Sequence, residues 1–168
     1  AGGQVPAVGR LASGGLFVAE PRVEAVSEAI ALQIDRLGIE RAHLFELRSA
    51  VEMAVLAQAL ERLDADGIAE LRVAVERERE ATDEDYARAG QDIHGALARV
   101  AGNRVLELCT LVLIRLTILR STTPIGTPPD PEAQHAHERI VEAVVAGDAD
   151  LARHRMRQHL AALVDWTR

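Results

Sequence analysis

At 168 residues the chain is long enough to bury one full hydrophobic core without staples. It is 48% hydrophobic but only 2% aromatic, so that core must be aliphatic, and its many Ala, Leu, Glu and Arg residues favour helix. A net charge of −7 argues against gripping nucleic acid unaided, and a single cysteine excludes an intramolecular disulfide. With no signal-peptide pattern and no membrane-length apolar run, a soluble cytoplasmic protein with no membrane partner is expected.

Residues 1–21 are rich in Gly and Ala, carry Pro6 and Pro21, and lack a helical period. Gly9–Leu11 and Gly15–Ala19 read as two short strands around a turn at Ala12-Ser13-Gly14. A lone ribbon of two strands is marginal in water, so this piece is expected to be the edge of something larger or largely disordered.

From Val23 the period becomes helical. Val23, Val26, Ile30 and Ile34 form a stripe that ends at Leu37-Gly38. A long helix over about 42–63 is expected to turn Leu44, Leu47, Val51, Ala54, Val55, Ala57, Leu60 and Leu63 inward, with Arg48 and Glu52 paired on its surface. His43, at its start, is assigned a surface or capping role. Asp64–Gly67 reads as a turn and cap, followed by a helix over about 68–78 with Ile68, Leu71 and Val75 inward. Thr82 or Asp83 is expected to cap the next helix, whose Ile93, Leu97, Val100 and Ala101 face a core.

Gly102 stops that helix and Asn103 caps another, which is apolar nearly all round and reads as the central buried helix or a dimer contact. Cys109 lies on it among leucines and is expected to be a buried structural thiol. Four prolines make 121–131 a loop. Two last helices, about 132–146 and 149–164, flank Gly147-Asp148, a C-cap glycine followed by an N-cap aspartate. The sum is an all-α antiparallel bundle of about seven helices.

His94, His137 and His159 each sit beside apolar residues on a different helix. Three imidazoles converging on one point are a ligand set for Zn, Ni or a related ion. No pair has the His-x-x-x-His spacing of a single-helix site, and packed, hydrogen-bonded histidines are the simpler alternative. Asp92 lies on the far side of the helix from His94 and is a poor partner for the same ion. Arg48, if turned inward, suits a carboxylate ligand through its fork of donors.

Ile93-His94, Leu97 and Gly102-Asn103 resemble the D-x-x-F-H-x-x-L-x-x-x-x-G-N signature of the FadR-type C-terminal effector-binding (FCD) domain of GntR-family transcription regulators. His137, Ile140, Ala143 and Gly147-Asp148 resemble its H-x-x-I-x-x-A-I-x-x-G-D. Ala152, Met156 and His159-Leu160 resemble its closing A-x-x-x-M-x-x-H-L, and Arg48 with Glu52 its R-x-x-x-E opening. Gly14–Pro21 is similar to the end of the family's winged helix-turn-helix. The resemblance covers about 9–165. It divides the chain into a wing remnant and linker, 1–21, and a helical effector-binding and dimerisation domain, 22–168.

The resemblance implies a helical bundle holding a divalent metal on one Asp and three His, with the metal and an arginine binding a carboxylate effector. Here the histidines are His94, His137 and His159 and the arginine is Arg48. The aspartate position, four residues before His94, is Gly90. Gln91 is a poorer substitute, and three histidines with water are expected to hold Zn or Ni. Because the chain starts at or inside the wing, specific DNA binding is expected only through a winged helix-turn-helix missing from it. The leading reading is the effector-sensing half of a homodimeric, non-enzymatic regulator. The alternatives are a metal-dependent hydrolase, with Glu52 or Glu138 brought in as base, and a metal-free helical dimerisation module.

Overall fold

The computed structural model describes residues 8–10, 16–18, 22–82, 86–120 and 131–165. Strands β1 (Val8–Arg10) and β2 (Leu16–Val18) pair antiparallel, with Val8 opposite Val18 and Arg10 opposite Leu16. This is the ribbon read from the sequence, and its turn at 12–14 lies outside the described residues. Seven helices follow among the described residues: α1 (Val23–Leu37), α2 (Arg41–Arg62), α3 (Ala65–Glu80), α4 (Tyr86–Val100), α5 (Arg104–Leu119), α6 (Pro131–Val145) and α7 (Ala149–Asp165). The all-α bundle stands. The proline loop expected at 121–131 lies, except for Pro131, outside the described residues, as does Asp83.

The boundaries follow local chemistry. α1, α4 and α6 each stop at a glycine in the left-handed region, Gly38, Gly102 and Gly147, where a side chain would be strained. Asp64 caps α3 by accepting from the Gly67 N–H at 2.8 Å. Asn103 caps α5 by accepting from Val105 and Leu106, and Asp148 accepts from Leu151 at 3.0 Å at the start of α7. Pro131 opens α6 at a position whose N–H has no helical partner to lose.

The main core joins α2, α3, α4, α6 and α7 through Val55, Leu56, Leu71, Ile93, Leu97, Ile140, Val144, Met156 and Leu160. A second cluster joins α1, α2 and α5 through Ile34, Leu44, Val112, Leu113 and Leu116. Of the two readings of α5, central buried helix or dimer contact, the first does not hold: α4 is central, since every residue from Ile93 to Ala98 is buried and α4 packs on α2, α3, α5 and α6. α5 lies between α1 on one side and α2 and α4 on the other. The α1–α5 cluster begins at Val112, so Val105, Leu108 and Cys109 remain exposed. The buried thiol expected at Cys109 is therefore corrected.

α2 differs from its sequence reading in register. Its buried line is Leu44, Phe45, Arg48, Glu52, Val55, Leu56 and Ala59. Leu47 points away, about 120° from the middle of that line, and is 54% exposed; Ala54 and Ala57 are exposed too. Arg48 and Glu52 form no surface pair: each is only 2% exposed. The apolar period misplaced the face because two charged residues occupy its centre. On α1, Val26 and Ile30 likewise face outward, and Ser27 with Ile34 takes the buried line.

Truncating the true inward line separates the two registers. Leu56→Ala should lower unfolding free energy by about 2–5 kcal/mol, and Leu47→Ala by no more than about 0.5 kcal/mol, in urea titrations of each variant. Equal losses at the two positions would contradict the observed face.

Candidate metal centre

The three histidines named from the sequence come together. α4 brings His94, α6 brings His137 and α7 brings His159, all buried within the aliphatic core. Each occupies the inward line of its helix, so the packing that closes the bundle also closes the cluster. His137 Nε2 lies 3.2 Å from His159 Nε2, which lies 3.3 Å from His94 Nε2. Nitrogens bound to one zinc at the usual bond length stand about 3.3 Å apart, so the spacing fits a shared ion. Among the described residues these three are the one group of His, Cys, Asp or Glu whose ligand atoms lie close enough to share a metal. His43, His135 and His154 are exposed and stand apart.

The outer nitrogens are tied down. His94 Nδ1 bonds Glu52 Oε2, and His137 Nδ1 lies 2.8 and 2.9 Å from the two oxygens of Glu78. Both carboxylates are buried, so each imidazole donates its Nδ1–H outward and turns the Nε2 lone pair inward. Glu52 is held in turn by Arg48, whose Nε donates to Oε1 at 2.5 Å. Arg48 Nη1 donates to Thr117 Oγ1 at 2.9 Å and Nη2 to Gln91 Oε1 at 3.4 Å. Gln91, considered from sequence as a stand-in ligand, is engaged with Arg48. One network thus runs from Thr117 and Gln91 through Arg48 and Glu52 to His94.

The charge states follow from this arrangement. Burial pushes the His94 imidazole down, against the opposing pull of Glu52. Burial, reinforced by His137 and His94, pushes His159 down to about 2. Burial alone would raise Glu52, but His94 and Arg48 outweigh it and hold the carboxyl well below the usual carboxylate range. We therefore take His94 and His159 as neutral, the form in which imidazole binds a metal, with an ionised Glu52 matched by Arg48.

The sequence missed Glu78. The available signal was its place on the α3 line Gly67, Leu71, Ala74, Glu78, where a charged residue occupies a core position. It lies against Gly90: a Cβ added there would stand 2.8 Å from Glu78 Oε1 and 3.5 Å from His137 Cε1. Glu138, weighed as a general base, instead pairs with Arg79 at 2.8 Å on the surface side of α6. Glu52 faces the outer nitrogen of His94, away from the three Nε2 atoms.

Residues 43–162 match the FCD domain family. The chain belongs to the FCD domain family. An uncharacterized HTH-type transcriptional regulator of Bacillus subtilis (strain 168), YcbG, is 25% identical over 144 residues. That alignment takes in 85% of this chain and 59% of the relative, so the chain spans about three fifths of that protein. Among solved structures, Streptococcus agalactiae GntR is similar with a TM-score of 0.68 and 18% identity, over 94% of this chain and 73% of that one. A GntR family member from Pseudomonas syringae pv. tomato gives 0.58 and 17%, over 95% and 62%. E. coli McbR/YncC gives 0.53 and 18%, over 95% and 77%. At such identities the likeness shows the fold. The FCD domain is a part of GntR-family transcription regulators and not an enzyme, and the hydrolase alternative is set aside.

Acid should weaken the metal-free protein. His159 takes its ordinary value near 6.5 once unfolded but about 2 when folded, so the unfolded chain binds the extra proton between those values. Its contribution is complete above 6.5 and falls as pH drops below it, by up to about 1.4 kcal/mol per pH unit. Urea unfolding of chelator-treated protein from pH 7 to 5 should show a shallower slope in His159→Gln. An unchanged slope would mean that His159 is not held neutral.

Proposed function

We propose that this chain is the ligand-sensing domain of a GntR/FadR-type DNA-binding transcription regulator, and that it binds a small organic acid through a divalent metal. His94, His137 and His159 hold the ion, zinc or nickel, through Nε2. The convergence of these three atoms, with two of the rings locked by buried carboxylates, carries the reading. The donor set fits: three imidazole nitrogens at ligand spacing, with no carboxylate grouped with them among the described residues. A bound divalent ion supplies Lewis-acid positions that a carboxylate can occupy.

Arg48 supports the choice of a carboxylate. Its guanidinium joins the same network through Glu52, and its three bonds among the described residues use three of its five donors. An acid bound between metal and Arg48 competes with Glu52 for the fork. It thereby couples the bound acid to α2, α4 and α5, which carry Glu52, Gln91 and Thr117. A ligand acts on an attached DNA reader only through such differential contact between two states. The region before residue 22 continues, in this reading, into a winged helix-turn-helix, and residues 22–168 form the sensing and dimerising unit. A second copy of the chain is the natural partner, because a palindromic operator needs a two-fold protein. No helix among the described residues is long and apolar enough to cross a membrane. We place the protein in the cytoplasm, with the DNA.

Elemental mass spectrometry of tag-free protein tests the metal. About one zinc or nickel per chain, lost in His94→Ala, is the expected result. No metal in either protein after incubation with both ions would leave a metal-free helical module.

The acid is tested by thermal shift with a panel of small carboxylates on metal-loaded protein. At a ligand concentration one hundred times Kd the stabilisation should be about 2.7 kcal/mol. It should largely disappear in Arg48→Lys, which keeps a charge beside Glu52 but not the fork. Equal protection of both proteins would remove Arg48 from the ligand site.

A further inference from the structure

Glu78 is the buried charged residue for which neither the sequence nor the effector reading has a use. It is 1% exposed, it comes from α3, and its bonding partner given by the structure is His137. A buried carboxylate is costly unless it is hydrogen-bonded, and here both oxygens converge on one N–H. That N–H belongs to the outer nitrogen of an imidazole whose inner nitrogen faces two other imidazoles. Glu52 stands in the same relation to His94. The two carboxylates therefore approach the histidine cluster from different helices and perform the same task.

The space for Glu78 depends on α4. The Cβ that Gly90 lacks would fall 2.8 Å from Glu78 Oε1, closer than real Cβ atoms come to any such neighbour. Because Oε1 ends a flexible side chain, a residue with a Cβ at 90 would displace the carboxylate from His137 rather than break the helix. A side chain at position 90 and a carboxylate from position 78 thus exclude each other. Gly90 has no left-handed backbone to explain it, and it lies inside a helix, where alanine is favoured by about 1 kcal/mol.

We infer that Glu78 is a positioning residue of the metal centre: admitted by the missing side chain at Gly90, its carboxylate holds His137 Nδ1–H and turns Nε2 toward the ion. The inference rests on the metal reading given above. The carboxylate absent at position 90 is in effect delivered from α3, as an outer partner of a ligand instead of a ligand. The ion then keeps more of its positions for the incoming acid than a site with a directly bound aspartate would.

Zinc affinity of the whole 168-residue chain, measured by competition with a chromophoric chelator, tests this, with thermal unfolding of the metal-free proteins as the control for folding. Glu78→Gln, which preserves volume, should bind zinc about 10–100-fold more weakly than wild type, as loss of an outer partner does. Gly90→Ala should lose at least about tenfold by dislodging Glu78, although alanine stabilises helix and removes no ligand. The double variant should be no weaker than Glu78→Gln alone, because both changes remove one interaction. A merely structural role would leave zinc affinity within about threefold of wild type in the folded single variants, and that result overturns the inference, as do additive losses in the double. If Glu78→Gln fails to fold, Gly90→Ala alone decides. Failure of the wild type to bind zinc or nickel would instead overturn the metal reading, and the inference with it.

Discussion

The structure depends on the burial of a polar seam inside an aliphatic core. Arg48, Glu52, Glu78, Thr117 and three histidines are all nearly inaccessible to water. Removing one member of such a set leaves a buried charge or donor uncompensated, which is costlier than never having had the pair. The seam is tolerated because its members answer one another: guanidinium to carboxylate, carboxylate to imidazole, hydroxyl to guanidinium. Thr117 completes the set by donating to the Ile114 carbonyl at 2.7 Å while accepting from Arg48.

The seam also ties the two apolar clusters together. Arg48 follows Leu44 of the α1–α5 cluster by one helical turn, and Glu52 precedes Val55 and Leu56 of the main core. α2 therefore carries apolar contacts at both ends and polar ones between. α4 meets it with Gln91 and His94, and α5 with Thr117. A change of bonding around Arg48 and Glu52 is felt by α2, α4 and α5. This is the property a sensing domain needs, since packed interiors switch between discrete arrangements instead of deforming smoothly.

Electrostatics and burial together set the state of the histidine cluster. Carboxylates at the outer nitrogens settle the tautomers of His94 and His137, and burial keeps His94 and His159 unprotonated. The Nε2 atoms of these two rings and of His159 then face one small volume. The fold is shared with GntR-family structures at 17–18% identity. What this chain does with its own residues, Gly90 and Glu78 above all, is written in contacts that fold likeness does not carry.

The sequence by itself determined the helices and their ends. Glycines, prolines and Asx caps act on backbone within a few residues, so Gly38, Asn103 and Gly147-Asp148 could be read directly. The histidines could be read too, because each lies on a short motif that resembles a family. What only tertiary structure decided was which face of α2 turns in, which helix lies at the centre, and where Cys109 ends up. An apolar period finds the buried face only when that face is apolar, and on α2 its middle is Arg48 and Glu52. Their burial is decided by partners 42 to 69 residues away along the chain, Gln91, His94 and Thr117. Glu78 was hidden for the same reason: its partner is His137, 59 residues on, and its room is made by Gly90. Local rules fix where helices begin and stop, while the placing of a charge in a core is a long-range agreement among residues that no single window contains.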